Sequence, residues 1–171
     1  MGTEAERATA AILWEETLMR HYPIFLDLRG KAVVVVGAGK VGLRKAKGLL
    51  EAGARVSVVA PAWAAEFGAL PVRLIRRAFR PSDLKDACLA YAATNCREVN
   101  RRVEREAKRR GIPVNVADDP GACDFIVPAR VVSGNLQVAV STGGRSPRLA
   151  GELRRKIEAV LEGALSATPN R

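Results

Sequence analysis

The stretch Val33-Val34-Val35-Val36-Gly37-Ala38-Gly39-Lys40-Val41-Gly42 decides the fold. Four β-branched residues predict a buried strand, and Leu43 opens a helical pattern directly after the glycine turn. In such a turn Gly37 permits the tight bend, Gly39 lets a pyrophosphate approach the backbone, and Gly42 lets the helix pack closely on the strand. The sequence therefore predicts that the N–H groups at the helix start bind a dinucleotide phosphate. The alternative is a tight turn whose glycines serve packing alone.

Strands and helices alternate along the chain from this turn. The hydrophobic pattern predicts further strands at 55–60, 72–76, 89–93 and 114–117, with helices at 41–53, 81–87 and 98–110 between them. Gly53 is expected to cap the first of these helices. Alternation of this kind predicts an α/β fold with a Rossmann-like parallel sheet and right-handed crossovers.

The pattern changes after Asp118. Short strands are predicted at 125–128, 130–132 and 136–141, with Ser133-Gly134-Asn135 as a hairpin turn, and Ser146 and Pro147 then begin a last helix as N-cap and first residue. We expect an N-terminal helical extension at 1–21, an NAD-binding domain at 22–117, a small β-rich unit at 118–146 and a C-terminal helix at 147–171. The small unit has too few residues for a core of its own, so we expect it to serve dimerisation.

Composition narrows the class of partner. The net charge of +10 and the pI near 10.3 favour an anionic partner, but only 5% of residues are aromatic, so base-stacking platforms are scarce and a nucleic-acid partner is not expected. No apolar run is long enough for a membrane span and no signal peptide is apparent, so we expect a cytoplasmic protein. The three cysteines are widely spaced, with Cys88 expected in the core, and His21 is the single histidine, so no metal site is expected.

The second predicted strand ends without the usual acidic residue. An Asp or Glu is expected about 20 residues after the glycines, where it binds the adenosine ribose. That place is taken by Val59-Ala60-Pro61. Backbone groups of this loop could bind the ribose instead, and charge alone does not distinguish NAD from NADP.

Two further loops carry candidate chemistry. Asp118 and Asp119 follow the fifth predicted strand, where a carboxylate could accept a proton while a hydride leaves a substrate. The alternative is that Asp119-Pro120-Gly121 is simply a turn. The run Ser141-Thr142-Gly143-Gly144-Arg145-Ser146-Pro147 gathers amides, hydroxyls and an arginine at a helix start, which suits an anion site or an ordinary glycine loop with a capping serine.

Taken together, these loops resemble a known family over about Tyr22 to Leu161. The motifs that carry the resemblance are Pro23-Ile24-Phe25, Val36-Gly37-Ala38-Gly39-Lys40-Val41, Arg44-Lys45-Ala46, Leu50-Glu51-Ala52-Gly53-Ala54, Ala92-Ala93-Thr94, Asn115-Val116-Ala117-Asp118, Phe125-Ile126-Val127-Pro128-Ala129 and Val138-Ala139-Val140 with the serine–glycine run that follows it. On these residues the chain resembles the precorrin-2 dehydrogenase/sirohydrochlorin ferrochelatase family, the NAD-binding part of siroheme synthase. Several of these motifs distinguish this family from generic Rossmann domains.

The resemblance implies an activity, a cofactor and an assembly. It implies a homodimeric oxidoreductase that oxidises the tetrapyrrole precorrin-2 to sirohydrochlorin with NAD⁺ in siroheme biosynthesis. By the same match Asp118 is the catalytic residue. The implied cofactor-binding residues are Gly37, Gly39, Lys40, Val41, Gly42, Pro61, Ala62 and Thr94. The implied substrate-binding residues are Asn115, Ser141, Thr142, Gly143, Arg145 and Ser146.

The positive charge suits this substrate, because precorrin-2 carries eight carboxylates that arginines can bind. Arg130, Arg145 and Arg148 are the candidates by position. Many family members also insert Fe²⁺, but this chain stops soon after its last predicted helix, where relatives continue, so chelation stays open. A different class, the non-catalytic nucleotide-sensing Rossmann module, remains the alternative; such modules usually carry the ribose acid and have no need of residues 115–118.

Overall fold

The computed structural model describes residues 21–117 and 119–166, with side chains to residue 163. The predicted N-terminal helix, Asp118 and the residues after 166 lie outside the described residues. The chain divides into two compact units, a larger one spanning Phe25–Ile126 and a smaller one that contains the described residues from Val127 onwards.

A five-stranded sheet forms the centre of the larger unit. Its strands are β1 Ala32–Val36, β2 Arg55–Ala60, β3 Arg73–Arg76, β4 Leu89–Ala92 and β5 Val114–Val116. All neighbours are parallel and the strand order is β3-β2-β1-β4-β5. Helix α1 spans Lys40–Glu51, helix α2 spans Arg97–Arg109, and two short 3₁₀ helices span Ala65–Ala69 and Pro81–Leu84. The predicted Rossmann-like sheet is confirmed.

Both faces of this sheet are buried, as a parallel sheet requires. Alternate residues of β1 point to opposite faces, because side chains alternate along a strand. Val34 and Val36 pack in one core cluster with Val103 and Ala107 of α2. The other cluster contains Val33, Val35 and, from α1, Ala46 and Leu49.

The end of α1 confirms the predicted role of Gly53. This glycine has a φ of +75°, its N–H donates to Leu50 O at 2.9 Å, and the N–H of Ala54 donates to Leu49 O at 3.0 Å. The pair of bonds is a Schellman motif, in which a left-handed residue satisfies the last helical carbonyls.

Two predicted elements differ from the structure. The helix predicted at 81–87 is a single 3₁₀ turn, Pro81–Leu84, in which the Asp83 carboxylate accepts the N–H of Arg80 at 2.8 Å. The strand predicted at 125–128 is wrong, because these residues pair with no strand. Side-chain contacts hold the segment instead: the Asn115 amide donates to Phe125 O at 2.9 Å, and the Phe125 ring packs edge-on against Tyr91.

The smaller unit contains a hairpin and a long helix. Strands β6 Ala129–Ser133 and β7 Leu136–Val140 are antiparallel, and the turn between them has Gly134 at a φ of +57°, as a tight hairpin favours. Helix α3 spans Pro147–Ser166, and the predicted N-cap is confirmed because Ser146 Oγ accepts the N–H of Leu149 at 3.2 Å. Within the part of the chain that is described, no helix is both long and apolar enough to cross a membrane.

Candidate active site

The glycine turn and the loop after β4 meet at the point where the strand order reverses, which is where open α/β sheets bind ligands. Gly37 has a φ of +107°, and its N–H donates to Val59 O at 2.9 Å. A Cβ added there would lie 2.6 Å from the carbonyl carbon of Ala93. The turn therefore needs glycine both for its backbone conformation and for the close approach of the β4 loop.

The start of α1 is exposed and has no side-chain cap. Gly39 is the N-cap residue and no side chain caps the helix, while a Cβ added at Gly39 would meet nothing within 4 Å. At Gly42, by contrast, an added Cβ would overlap Gly37 O. The open space above Gly39 and the uncapped N–H groups fit a dinucleotide pyrophosphate. Lys40 is exposed beside it and Val41 is half-buried.

The end of β2 presents Pro61 and Ala62 to solvent, in the place predicted to lie against the ribose. Sequence reasoning missed their neighbours. The Arg76 guanidinium at the end of β3 lies 5.3 Å from the centre of the Trp63 ring, within cation–π range. The position of Arg76 as last residue of a predicted strand was the available signal.

A buried asparagine fixes the loop after β4. The Thr94 hydroxyl donates to Asn100 Oδ1 at 2.7 Å, and Asn100 Nδ2 donates to Thr94 O at 3.0 Å. Asn100 lies in the first turns of α2 and is only 6% exposed. The N–H of Thr94 also donates to Asn100 Oδ1, at 3.2 Å, so Asn100 engages both the hydroxyl and the backbone of Thr94. A contact between this loop and a cofactor stays a prediction.

The loop after β5 carries Asp118, which lies outside the described residues. The residues on either side of it are held in place. Ala117 N donates to Ala92 O at 2.8 Å, and the Asp119 carboxylate accepts the N–H of Ala122 at 3.3 Å. The predicted Asp119 turn is therefore present, and it leaves the role proposed for Asp118 unchanged.

Side chains from the returning segment cover the outer edge of β5. Asp124 Oδ2 accepts the N–H of Val114 and Asp124 N donates to Val114 O, both at 2.9 Å. Cys123 Sγ accepts the N–H of Val116 at 3.2 Å. The sequence analysis did not predict these roles of Cys123 and Asp124, because neither their spacing nor their residue type indicates that they bind the backbone of a neighbouring strand.

Asn115, predicted to bind substrate, is 9% exposed. Its Nδ2 donates to Phe125 O at 2.9 Å and lies 3.5 Å from Cys123 Sγ. This side chain ties β5 to the segment after it, and a contact between Asn115 and substrate stays a prediction.

A half-buried lysine packs under the β4 strand. Lys45 Nζ lies 5.5 Å from the centre of the Tyr91 ring, and the Tyr91 and Phe125 rings meet edge-on at 5.4 Å. Burial lowers the pKa of Lys45 and raises the pKa of Tyr91 to about 12. Lys45 therefore gives up its proton more readily than an exposed lysine does. The face of the Tyr91 ring attracts the ammonium group and so replaces part of the hydration that burial removes.

The predicted anion loop belongs to the smaller unit, and its own hydroxyls order it. Ser141 Oγ accepts the N–H of Gly143 at 3.1 Å, and Thr142 Oγ1 accepts the N–H of Ser146 at 3.0 Å. The Arg145 side chain is exposed. Of the other arginines predicted to bind carboxylates, Arg148 pairs with Glu152 at 2.6 Å. Arg130 lies on β6.

Within residues 21–117 and 119–163, no group of three or more His, Cys, Asp or Glu side chains could hold a metal ion.

An open parallel sheet with a glycine cradle at its switch point defines a Rossmann-type dinucleotide-binding protein. The sequence comparisons agree with this class. A family model for NAD(P)-binding domains matches residues 24–129, and one described as the central part of sirohaem biosynthesis proteins matches residues 133–159.

Individual relatives narrow the class. Siroheme synthase of Nitrosomonas europaea is 43% identical over 151 residues, which cover 85% of this chain and 32% of the relative. Siroheme synthase of Methylobacillus flagellatus is 45% identical over 147 residues, again 32% of its length. The solved structure of SirC, a precorrin-2 dehydrogenase, superposes with a TM-score of 0.71 at 32% identity, covering 82% of this chain and 71% of that one. The chain belongs to the precorrin-2 dehydrogenase/sirohydrochlorin ferrochelatase family, the NAD-binding part of siroheme synthase, and spans about a third of the curated synthases it matches.

Proposed function

We propose that this chain is a precorrin-2 dehydrogenase that forms sirohydrochlorin with NAD⁺ as the hydride acceptor. The observation that carries the proposal is the likeness to SirC over 71% of that chain, together with the glycine cradle at the switch point of the same sheet. Dehydrogenation of the substrate forms a new double bond and removes one hydride and one proton. The proposed site therefore needs a dinucleotide cradle and a base.

The chain's own residues divide these tasks. The N–H groups at the start of α1 and the open backbone at Gly39 would hold the pyrophosphate, with Pro61 and Ala62 at the ribose and the loop of Thr94 beside the nicotinamide half. Asp118 is proposed to accept the proton, as general base. Ala117, the residue before Asp118 in the sequence, is tied to the end of β4 through its N–H, which suits a base that must keep one position.

The strong positive charge of the chain supports a polyanionic substrate. With a net charge of +10, the protein would attract an eight-carboxylate tetrapyrrole over a distance of about a Debye length. Residues 141–146, ordered by their own hydroxyls and exposing Arg145, are proposed to bind substrate carboxylates. Because carboxylate binding weakens with salt, the KM for precorrin-2 is expected to rise with ionic strength.

The direct test is turnover. The purified chain is incubated without oxygen with freshly generated precorrin-2 and NAD⁺, and both NADH and the sirohydrochlorin spectrum are followed. Equal amounts of both products are expected. A folded protein that binds NAD⁺ yet forms neither product would contradict the proposal, and a parallel reaction with NADP⁺ measures the cofactor preference. Fe²⁺ added to purified sirohydrochlorin tests chelation separately.

We also propose a homodimer formed through the smaller unit. Large apolar side chains there are exposed in the single chain, among them Val132 at 56%, Leu136 at 47% and Leu149 at 44%. Exposed apolar surface of this kind marks an interface more often than open surface. Light scattering should give twice the chain mass, and a monomer at working concentration would contradict the dimer.

We also propose a cytoplasmic location, since Cys88, Cys96 and Cys123 are all free thiols.

A further inference from the structure

A small cleft lies beyond β4 and β5, beside the loop that carries Asp118. Its volume is about 80 Å³, and Asn95, Arg97, Arg101 and Asp119 are among the residues that line it. Since a water occupies about 30 Å³ of liquid, the cleft has room for a carboxylate-bearing arm and not for a tetrapyrrole ring. It is therefore a place for one peripheral group of a larger ligand.

Two arginines without partners give this cleft its chemistry. Arg97 is the first residue of α2 and Arg101 lies four residues later, so both project from the same side of the helix. Among the described residues, neither guanidinium takes part in a hydrogen bond or ion pair. At the other end of α2, Arg109 and Arg110 both bind Glu106, at 2.7 and 2.6 Å. Arg102 and Arg105 also lack an ion pair among the described residues, but of the arginines without one on this helix only Arg97 and Arg101 line the cleft.

Three other polar side chains of the cleft, those of Thr94, Asn100 and Asp119, already make hydrogen bonds within the protein. The Thr94 hydroxyl donates to Asn100, and Asp119 Oδ1 accepts the N–H of Ala122. The available donors are therefore the two guanidiniums and the exposed Asn95 amide. The one acidic side chain that lines the cleft is Asp119. Guanidinium groups bind carboxylates through paired N–H donors, which makes an anionic, planar group the suitable ligand.

We propose that Arg97 and Arg101 bind one peripheral carboxylate of the tetrapyrrole substrate in the cleft beside the Asp118 loop. The proposal rests on the proposed function. It adds two specificity-determining residues in the larger unit, separate from residues 141–146. Binding here would act on substrate affinity, because the same carboxylate contact would be made in the ground state and in the transition state.

The test uses Arg97→Gln, Arg101→Gln and the double variant, with Arg102→Gln as the matched control. Arg102 is exposed on the same helix and does not line the cleft. Each single change should raise the KM for precorrin-2 about fivefold and the double change more than tenfold, since exposed charge-assisted bonds are modest individually. The kcat, the KM for NAD⁺ and the melting temperature should stay within error of those of the control.

Three results would overturn the subsite. The first is an unchanged KM for precorrin-2 in the double variant. The second is an equal rise of that KM in Arg102→Gln, which would show an effect of total charge. The third is a rise in the KM for NAD⁺ alone, which would assign the two arginines to cofactor binding. Binding of uroporphyrin III, a stable tetrapyrrole with the same number of carboxylates, is measured by fluorescence in parallel. Weaker binding of uroporphyrin III in the Arg97 and Arg101 variants, and not in Arg102→Gln, would support the subsite. This holds even if the wild type shows no turnover, because absence of turnover counts against the proposed function and not against the subsite.

Discussion

Cys123 Sγ lies 3.2 Å from the backbone nitrogen of Val116 and 3.3 Å from its carbonyl oxygen, so a single thiol serves the outer edge of β5 where another strand would otherwise pair. The same sulfur lies 3.3 Å from Asp119 O. The thiol therefore joins the residues on both sides of Asp118.

Replacement of Cys123 tests this connection. Cys123→Ala leaves the N–H of Val116 without its acceptor, and we expect a loss of about 1–3 kcal/mol in the free energy of unfolding together with a lower kcat. Cys123→Ser keeps a donor and an acceptor at the same place and should recover most of both. Urea unfolding and steady-state kinetics are the measurements. An alanine variant as stable and active as the serine variant would show that the Cys123 thiol stabilises neither the edge of β5 nor the loop that carries Asp118.

The glycine turn should separate folding from cofactor binding. Gly37→Ala forces a side chain onto a φ of +107° and into the Ala93 carbonyl, so we expect a loss of more than about 2 kcal/mol in stability. Gly39→Ala meets open space and a normal φ of −84°, so stability should hold while the Kd for NAD⁺ rises about tenfold or more.

Gly68→Ala is the matched control for these variants, because its added Cβ also meets nothing within 4 Å and it lies in the 3₁₀ helix Ala65–Ala69. Thermal melting and NAD⁺ titration distinguish the three variants. If Gly39→Ala bound NAD⁺ as tightly as Gly68→Ala, the cradle would not approach the cofactor as proposed.

Asp118→Asn removes a charge at nearly constant size. If Asp118 is the general base, kcat should fall about a hundredfold or more while the Kd for NAD⁺ stays within about twofold. Stopped assays for sirohydrochlorin and a fluorescence titration with NADH give the two quantities. Retention of wild-type kcat would assign the proton to solvent or to another group.

The ion pair between Asp83 and Arg77 should make stability depend on pH. The Asp83 carboxylate is 4% exposed, and Arg77 binds it through two nitrogens at 2.8 and 2.5 Å, which holds the pKa of Asp83 below its usual range. A carboxyl whose pKa is lowered by folding stabilises the protein above its unfolded pKa, and that contribution is lost as pH falls through the folded pKa.

Asp83→Asn should therefore cost about 1–3 kcal/mol near neutral pH, and the difference from wild type should shrink below about pH 4. Urea unfolding at a series of pH values measures it. Asp27→Asn, which removes an exposed partner of Arg29, should change little at any pH. A constant difference for Asp83→Asn down to acid pH would mean that lost packing, rather than lost charge, is responsible.

The central strand, its glycine turn and the parallel direction of the strands were predictable, because the local hydrophobic pattern and the backbone conformation of the glycines point to the same structure. Val33 to Val36 are all buried, and Gly37 has the positive φ that the motif implies. The C-cap at Gly53 and the N-cap at Ser146 were predictable for the same reason, since a cap depends on a few adjacent residues.

The outer edge of β5 was not predictable from local pattern. Apolar residues at 125–127 suggested a strand, but the edge is satisfied by Cys123 and Asp124 side chains, which reach back over several residues. The pairing of Arg76 with Trp63 and the clamp of Thr94 by Asn100 likewise depend on where two elements meet in space. Such contacts carry no period along the sequence.

The side-chain cover on β5 also limits how far the sheet can grow. Its Val114 and Val116 hydrogen-bonding groups are already occupied, so a sixth strand, from this chain or another, finds no ladder to join there. At the opposite edge, β3 presents the exposed charges of Arg73 and Arg76. Because β5 is covered and β3 carries exposed charges, neither edge of the sheet offers an open, uncharged ladder to a strand of another copy, which is the contact that fibre formation needs.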